Sequence, residues 1–317
     1  MTDRAALLSA LEAYTEEEKY YMRCIELQQP PRILSSFSDF PDASHHIVME
    51  RHLRFQPCPP HTHDHFEIFY VMTGTCGQQL DDRRFTLHKG DVGFLAPGAV
   101  HTLEVTDDSL VFSIYIDRDT MDHLLAYTLH YDNILSDFFV GSLYSRRPLG
   151  SILFYETGED IQDHILDMYQ EYTAPDSFTP QVLESMLPIL FVRLLRHYKD
   201  QFYVATAGPH QYKGQQLRML SFIYDHYQEV SLDTLAETFG YSLAHVSRLI
   251  RQETGIGFSA LIRQIRMNRA IHLLRETDQT VSEISEQVGY TSPESFIRAF
   301  EKEYKFSPSR YRQQTRS

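Results

Sequence analysis

A pattern that occurs twice in the last third of the chain restricts its fold more than any other feature. The run LAETFGYS at residues 235–242 is matched by ISEQVGYT at 284–291. Each is followed by an apolar face carrying an arginine, VSRLI at 246–250 and FIRAF at 296–300. The second copy has one extra residue after the turn. Two copies of one pattern specify two copies of one supersecondary unit. The unit is short: apolar residues at helical spacing, a Gly-Tyr break, then apolar residues at helical spacing again.

A helix-turn-helix needs a first helix with an apolar side and a small residue where the helices cross, then a tight turn. The second helix must have an outer face able to enter a groove. In the first copy, Ser231 is placed to cap a helix over 232–239, Ala236 is the small residue, Gly240 admits a left-handed turn, and Ser242 caps the second helix. At 100° per residue Val246, Leu249 and Ile250 face inward, while Ala244, His245, Ser247, Arg248 and Arg251 face outward. In the second copy Thr280 caps 281–288, Ser285 is small and Gly289 takes the turn. There Phe296, Ala299 and Phe300 face inward, and Glu294, Ser295, Arg298, Glu301 and Lys302 face outward. The units span about 231–253 and 280–304. A helix over 258–275 between them would place the two outer helices in successive major grooves, about 34 Å apart. Arg248 and Arg298 are the leading candidates for base or phosphate contact, because a guanidinium binds guanine or phosphate bidentately. Arg251, His245, Ser247, Ser295 and Lys302 flank them, and Glu294 either accepts from cytosine or repels the duplex.

Net charge at first opposes this reading. The 317 residues carry 29 Lys+Arg and 43 Asp+Glu, a formal charge of −14. The charge is not evenly spread. Residues 1–210 hold a net −16 and 13 of the 16 histidines, whereas 211–317 hold a net +2. An acidic, His-rich front is joined to a near-neutral, Arg-rich back. Three cysteines, Cys24, Cys58 and Cys76, fit no disulfide or zinc spacing and read as buried filler, so a reducing cytoplasm is expected. No apolar run reaches the ~18 residues of a membrane span, and no secretory signal opens the chain.

The carboxy-terminal hundred residues resemble the DNA-binding domain of the AraC/XylS transcriptional regulators. The resemblance rests on Ala270, Leu273-Leu274, Val281, Ile284, Gly289-Tyr290, Phe296, Arg298 and Phe300, closing with Ser307-Pro308 and Tyr311-Arg312. Three positions depart from it. Ser285 stands where the family has alanine, which should be tolerated. Lys305 stands where it has a helix-ending glycine, costing about 1 kcal/mol if the position is left-handed. Ile250 stands where it has phenylalanine. The resemblance implies double-stranded operator DNA and RNA polymerase as partners, and a regulator that acts as a homodimer.

Ahead of this domain, residues 4–27 read as one helix. Short β-rich runs separated by turn residues fill about 45–117, which indicates a small sandwich or barrel. Helical spacing returns over 118–200, in 121–131, 158–172 and 179–198. Leu183, Leu187, Leu190, Leu194 and Leu195 line one face of the last, either against the barrel or as a dimer seam, with Pro188 expected to kink it. The fold class is therefore multidomain α+β: a cupin-like jelly-roll domain with flanking helices over 1–205, a linker at 206–214, and an all-α double helix-turn-helix over 215–317.

The strand region contains His61, His63, His65 and Glu67, then Gly74, and later Gly90, Gly98 and His101. This resembles the two cupin motifs, with gaps at Phe55, Ala96 and Val105. Histidines at i, i+2 share a strand face, Glu67 has the same parity, and His101 would join from another strand. Three uses are open: a divalent metal held by His61, His63, Glu67 and His101; a pocket for a small polar effector lined by these residues and His65; or side chains that satisfy one another. His45, His46, His52 and His88 have no matching partners and read as surface. The chain reads as a ligand-responsive DNA-binding regulator, an activator of a catabolic, sugar-type operon with a sugar or sugar acid as effector, and not an enzyme. The alternative is a metal-dependent cupin enzyme or metal sensor fused to a DNA reader.

Overall fold

The computed structural model describes residues 4–30, 46–56, 58–80, 83–128, 133–146, 150–205 and 214–315. His45 and all of the expected 206–214 linker except Gly214, which begins a helix, lie outside them. The chain divides into two units, residues 1–124 with 148–212, and residues 125–147 with 213–317. The first contains α1 (Arg4–Glu12), α2 (Glu16–Glu26), then β1 (Ile47–Arg51), β2 (Phe66–Thr73), β3 (Thr75–Leu80), β4 (Arg83–His88), β5 (Val92–Leu95), β6 (His101–Glu104) and β7 (Leu110–Ile116). α3 (Arg118–Thr128) follows, and α4 (Ile134–Tyr144) belongs to the second unit. The first unit resumes with β8 (Ser151–Phe154), α5 (Glu159–Thr173), α6 (Thr179–His197) and β9 (Phe202–Ala205).

The strands form two antiparallel sheets, one of six strands in the order β1-β7-β2-β5-β8-β9 and one of three in the order β4-β3-β6. β3 alternates buried and half-exposed residues, as a one-sided strand must, whereas β2 is buried almost throughout. Phe69, Val71, Leu80, Leu87, Leu95, Leu103, Val111 and Leu153 close the core between them. Gly93 pairs with Phe69 across β2 and β5, and a Cβ there would lie 1.9 Å from the Phe69 ring, so this strand position admits only glycine.

Three features correct the sequence reading of this unit. The single helix expected over 4–27 is two, because Thr15 and Glu18 form a capping box that starts α2 afresh. Glu18 is fully buried and accepts from the Arg54 backbone and guanidinium and from Arg51, so it also fastens α2 to the chain after β1. The region 118–200 is not purely helical: β8, a four-residue apolar run too short to tell from helix by periodicity, adds to β5. Leu183, Leu187, Leu190 and Leu194 are buried and Leu195 is half-buried, and the exposed large apolar residues among the described residues of this region are Phe178, Ile189 and Val192. α6 runs through Pro188 as one helix.

The second unit carries α4, α7 (Gly214–Asp225), α8 (Leu232–Phe239), α9 (Leu243–Thr254), α10 (Phe258–Glu276), α11 (Val281–Gln287), α12 (Pro293–Tyr304) and α13 (Pro308–Thr315). Its two repeats fold alike. Ser231, Ser242, Thr280 and Ser292 each accept from the backbone N–H three residues on. Gly240 and Gly289 take φ of 68° and 85°. The N–H of Tyr241 then reaches the carbonyl of Ala236, as that of Tyr290 reaches Ser285, both at 2.9 Å. The extra residue of the second copy is absorbed before the cap, where Thr291 precedes Ser292. Val246, Leu249 and Ile250 are buried in α9, as are Phe296 and Phe300 in α12. Phe296 and Phe300 pack with Leu273, Leu274, Ile284 and Val288 in one cluster. The closing motif is structural: Arg312 donates to the carbonyls of Leu274 and Gln279, tying α13 to the end of α10.

Two departures from the family pattern have measurable consequences. Ser285 is buried and its hydroxyl has no hydrogen-bond partner, so the serine is accommodated but unfavourable. Lys305 is left-handed at φ 66°, as the glycine it replaces would be. Ser285→Ala and Lys305→Gly should each stabilise the protein by about 1 kcal/mol, read as a higher urea midpoint at unchanged m-value.

Candidate functional site

The outer face of α9 carries Ser247, Arg248 and Arg251 in solvent, with His245 half-buried beside them. The ring of His245 lies 4.6 Å from that of Tyr241 in the turn, and its Nδ1 accepts from the Arg248 guanidinium at 2.8 Å. Arg248 is thus braced by the imidazole of His245 on the same helix. On α12, Glu294, Arg298 and Lys302 are exposed and Ser295 is half-buried, its hydroxyl 3.0 Å from the capping Ser292 hydroxyl and 3.5 Å from the Arg298 guanidinium. All eight DNA-reader candidates therefore lie on the two second helices of the repeated units, six of them exposed, with His245 and Ser295 half-buried at the edge of the packed face. α10, which runs between the repeats, has 19 residues and so a length of roughly 28 Å.

The His/Glu cluster is assembled from both sheets of the first unit. Glu67 comes from β2 in the six-stranded sheet, His101 from β6 in the three-stranded sheet, and His63 from the chain entering β2. All three are buried, and one ligand atom from each lies within 4.8 Å of the others. Glu67 Oε2 is 3.2 Å from His63 Nε2 and 3.3 Å from His101 Nε2, and its Oε1 accepts from the Ser113 hydroxyl at 2.7 Å. The other ring nitrogens are committed: His63 Nδ1 is 2.9 Å from the carbonyl of His65, and His101 Nδ1 is 3.1 Å from that of Ala99. A carbonyl only accepts, so both Nδ1 atoms carry the proton. A neutral ring then turns its Nε2 lone pair toward a carboxylate, which is repulsive. A proton on each Nε2, or a cation among the three atoms, makes the arrangement attractive. His101 Nε2 is buried with no hydrogen bond, and backbone carbonyls that orient imidazoles in this way are the usual outer support of a metal ligand.

The remaining candidates sit around this triad. His61 bridges to His101 along the backbone and its ring is 4.3 Å away, but its Nδ1 faces the carbonyl of Pro59 and it stands outside the converging set. The His65 ring stacks on His63 at 4.1 Å and meets Tyr115 edge-on. Burial lowers His61 and His65 to about 4, keeping both rings neutral near pH 7. Burial alone would raise Glu67, but His101 and His63 outweigh it and hold the carboxyl well below its usual range. Burial pushes the Cys58 thiol up to about 11 and Cys76 to about 12, so both are inert filler, as expected. Among the outer histidines, His46 is exposed and pairs with Asp117, and His88 is exposed. His52 is a correction: it is buried after β1, its N–H bonding the carbonyl of Val111. The sequence reading missed Ser113 and Tyr115. Both share Glu67's face through the β2–β7 register, which pairs Glu67 with Tyr115 and Phe69 with Ser113.

Against known proteins, residues 46–175 match the family described as "AraC-like ligand binding domain" and residues 235–314 match "Helix-turn-helix domain". The chain belongs to the AraC family of transcriptional regulators. It is similar to the HTH-type transcriptional activator RhaS of Enterobacter sp. (strain 638), 25% identical over 283 residues that cover 89% of this chain and 97% of that protein. RhaS of Salmonella heidelberg is 26% identical over 288 residues, with the same coverage. Among solved structures, the C-terminal domain of AraT, a response regulator from Geobacillus stearothermophilus, is 36% identical over 32% of this chain and 84% of that one, with a TM-score of 0.31. The AraC-family chain is thus a DNA-binding regulator with a ligand-binding domain, its relatives being transcriptional activators rather than enzymes.

The pocket makes the AraC-like domain acid-sensitive in two steps. His61 and His65 bind protons less readily folded than at their ordinary value of 6.5, so their contribution to stability is full above 6.5 and is lost as pH falls toward 4. Glu67 adds stability that is present above its ordinary 4.5 and lost as pH falls further. Thermal melts from pH 7.5 to 3.5 should show a decline beginning near 6.5 and steepening below 4.5, and Glu67→Gln should lessen the steepening. Glu18, despite its burial also held below its ordinary range by Arg54 and Arg51, contributes the rest.

Proposed function

We propose that this regulator is a cytoplasmic homodimer that activates a sugar-type catabolic operon, binding operator DNA through α9 and α12 and engaging RNA polymerase there. The observation that carries the reading is the separation of faces in both repeats: every apolar residue needed for packing is turned in, and Arg248 and Arg298 are turned out at matching positions. Activation is supported by relatives named as transcriptional activators that align over 97% of their length. Dimerisation is supported by the exposed Phe178, Ile189 and Val192 around α6. The effector site is the pocket of His61, His63, His65, Glu67 and His101, whose paired acceptors and donors suit a hydroxyl-rich sugar or sugar acid.

A second reading of the pocket has a specific observation behind it: the two Nε2 lone pairs and one carboxylate oxygen converge with both Nδ1–H groups already spent on carbonyls. In that reading His63, Glu67 and His101 hold a divalent metal, with His61 adjacent to complete the set, and the effector binds to it or the metal itself is sensed.

Arg248→Ala and Arg298→Ala should each weaken binding to a cognate duplex by about 1–3 kcal/mol in gel-shift titrations if each arginine contacts a base bidentately. Unchanged affinity in both variants contradicts the DNA-reading face. Metal analysis of protein purified without chelators separates the two pocket readings. Stoichiometric zinc, nickel, iron or manganese that Glu67→Gln abolishes establishes the metal. Metal-free protein whose melting temperature rises with a sugar or sugar acid, but not in Glu67→Gln, establishes the organic effector. In either case Glu67→Gln should leave basal DNA binding intact.

A further inference from the structure

The second unit contains a helix that the sequence order places elsewhere. α4 lies between β7 and β8, both strands of the ligand-binding unit, yet it belongs with residues 213–317. Its sequence, ILSDFFVGSLY, is apolar on every side, and nine of its 11 residues are buried, as a helix enclosed by protein requires. It lies along α7. The buried carboxylate of Asp137 accepts from the Ser221 hydroxyl at 2.7 Å, and the Tyr144 ring is 5.7 Å from that of Tyr224. The Tyr144 hydroxyl is 3.4 Å from the Asn268 amide on α10. Asp137 is also felt at Asp225 on α7, whose carboxyl burial raises to about 7, with Arg269 opposing and Asp137 adding to the rise.

Where α4 ends, the chain reaches the first recognition helix. The N–H of Arg146 donates to the carbonyl of Glu253 at 2.7 Å, and the Ser145 hydroxyl lies 3.4 Å from the same oxygen. Glu253 is the penultimate residue of α9, and its carbonyl is among those that a helix leaves without an internal donor. The Arg146 side chain then covers Gly255, the left-handed residue after α9. A Cβ on Gly255 would lie 1.9 Å from the Arg146 Nε. The second repeat closes differently. Its equivalent left-handed residue is Lys305, whose side chain reaches back to the carbonyl of Lys302. The two otherwise matching repeats therefore differ at the end of the recognition helix, and only the first is closed by a residue encoded within the other half of the chain.

We propose that α4 and Arg146 form a positioning element for the first recognition helix, a covalent route by which the state of the ligand-binding unit reaches α9 and not α12. The segment is tethered to that unit at both ends, through α3 before it and β8 after it. A change that pulls on either tether loads the α4–α7 contact and the Arg146–Glu253 bond. Arg146 and Asp137 act through α9, so they are positioning residues and need not touch DNA. The proposal rests on the reading of α9 as a DNA-contacting helix.

The test uses the full chain and a duplex selected by it from a random-sequence pool. Arg248→Ala identifies the base pairs read by α9, and Arg298→Ala those read by α12. Arg146→Pro removes the N–H donor and should weaken binding about 5- to 10-fold, one hydrogen bond's worth. Arg146→Ala keeps the donor and should stay within about twofold of wild type. Asp137→Ala loosens the far end of α4 and should fall in line with Arg146→Pro, with loss of discrimination confined to the base pairs read by α9. Combining either with Arg248→Ala should cost little beyond Arg248→Ala alone, because both act through one helix. Full additivity with Arg248→Ala overturns the proposal, as does equal loss of discrimination at both sets of base pairs or wild-type binding by both Arg146→Pro and Asp137→Ala. If Arg248→Ala itself has no effect, the DNA-reading assignment of α9 falls and the proposal with it.

Discussion

Each recognition helix is stable only if the apolar side chains on one side of it leave water, and that requirement governs the rest of the DNA-binding unit. Burying Val246, Leu249 and Ile250, or Phe296 and Phe300, fixes the rotation of α9 and α12 about their axes. Once the rotation is fixed, Arg248 and Arg298 are left on the exposed side of their helices. The left-handed glycines at 240 and 289, and the serine and threonine caps, set the angle at which each second helix leaves the first. Affinity for a polyanion in a chain of net charge −14 then rests on where a few cations stand and not on how many there are.

The ligand-binding unit faces the opposite problem, a charge it must keep inside. Glu67 is nearly inaccessible, and an unpaired carboxylate there would be prohibitively unfavourable. Two histidines and the Ser113 hydroxyl answer it, drawn from both sheets and from the chain entering β2. Whatever occupies or protonates the triad therefore acts on the joint between the sheets. That is where a small ligand can change the barrel most for the least contact, since only differential binding to two states shifts an equilibrium.

How much of this was legible in the sequence follows from the range of each signal. The repeated units were readable almost to the residue: a helix expected over 232–239 is α8, and Ser242 and Gly240 play the parts expected of them. Caps, glycine turns and helical spacing are local, so the chain states them directly. The left-handed Lys305 was legible only by comparison with a family pattern. His63, Glu67 and His101 were brought together as expected, but the Ser113 contact and the burial of His52 depend on strand register and tertiary packing, which no single strand records. The placement of α4 was least legible. ILSDFFVGSLY is not among the segments that helical spacing picks out, and chain order puts all of 118–200 with the front domain, whereas 134–144 clusters with residues 213–317.

With α10 between them, α9 and α12 would let one chain read two successive major grooves at a fixed spacing. Hydroxyl-radical footprinting of the full-length regulator on a selected duplex tests this directly. Each bound chain should protect two windows on one face of the helix, centred about 10–10.5 base pairs apart, the separation of successive major grooves. A single protected window per chain, or two at a spacing unrelated to the helical repeat, would contradict it.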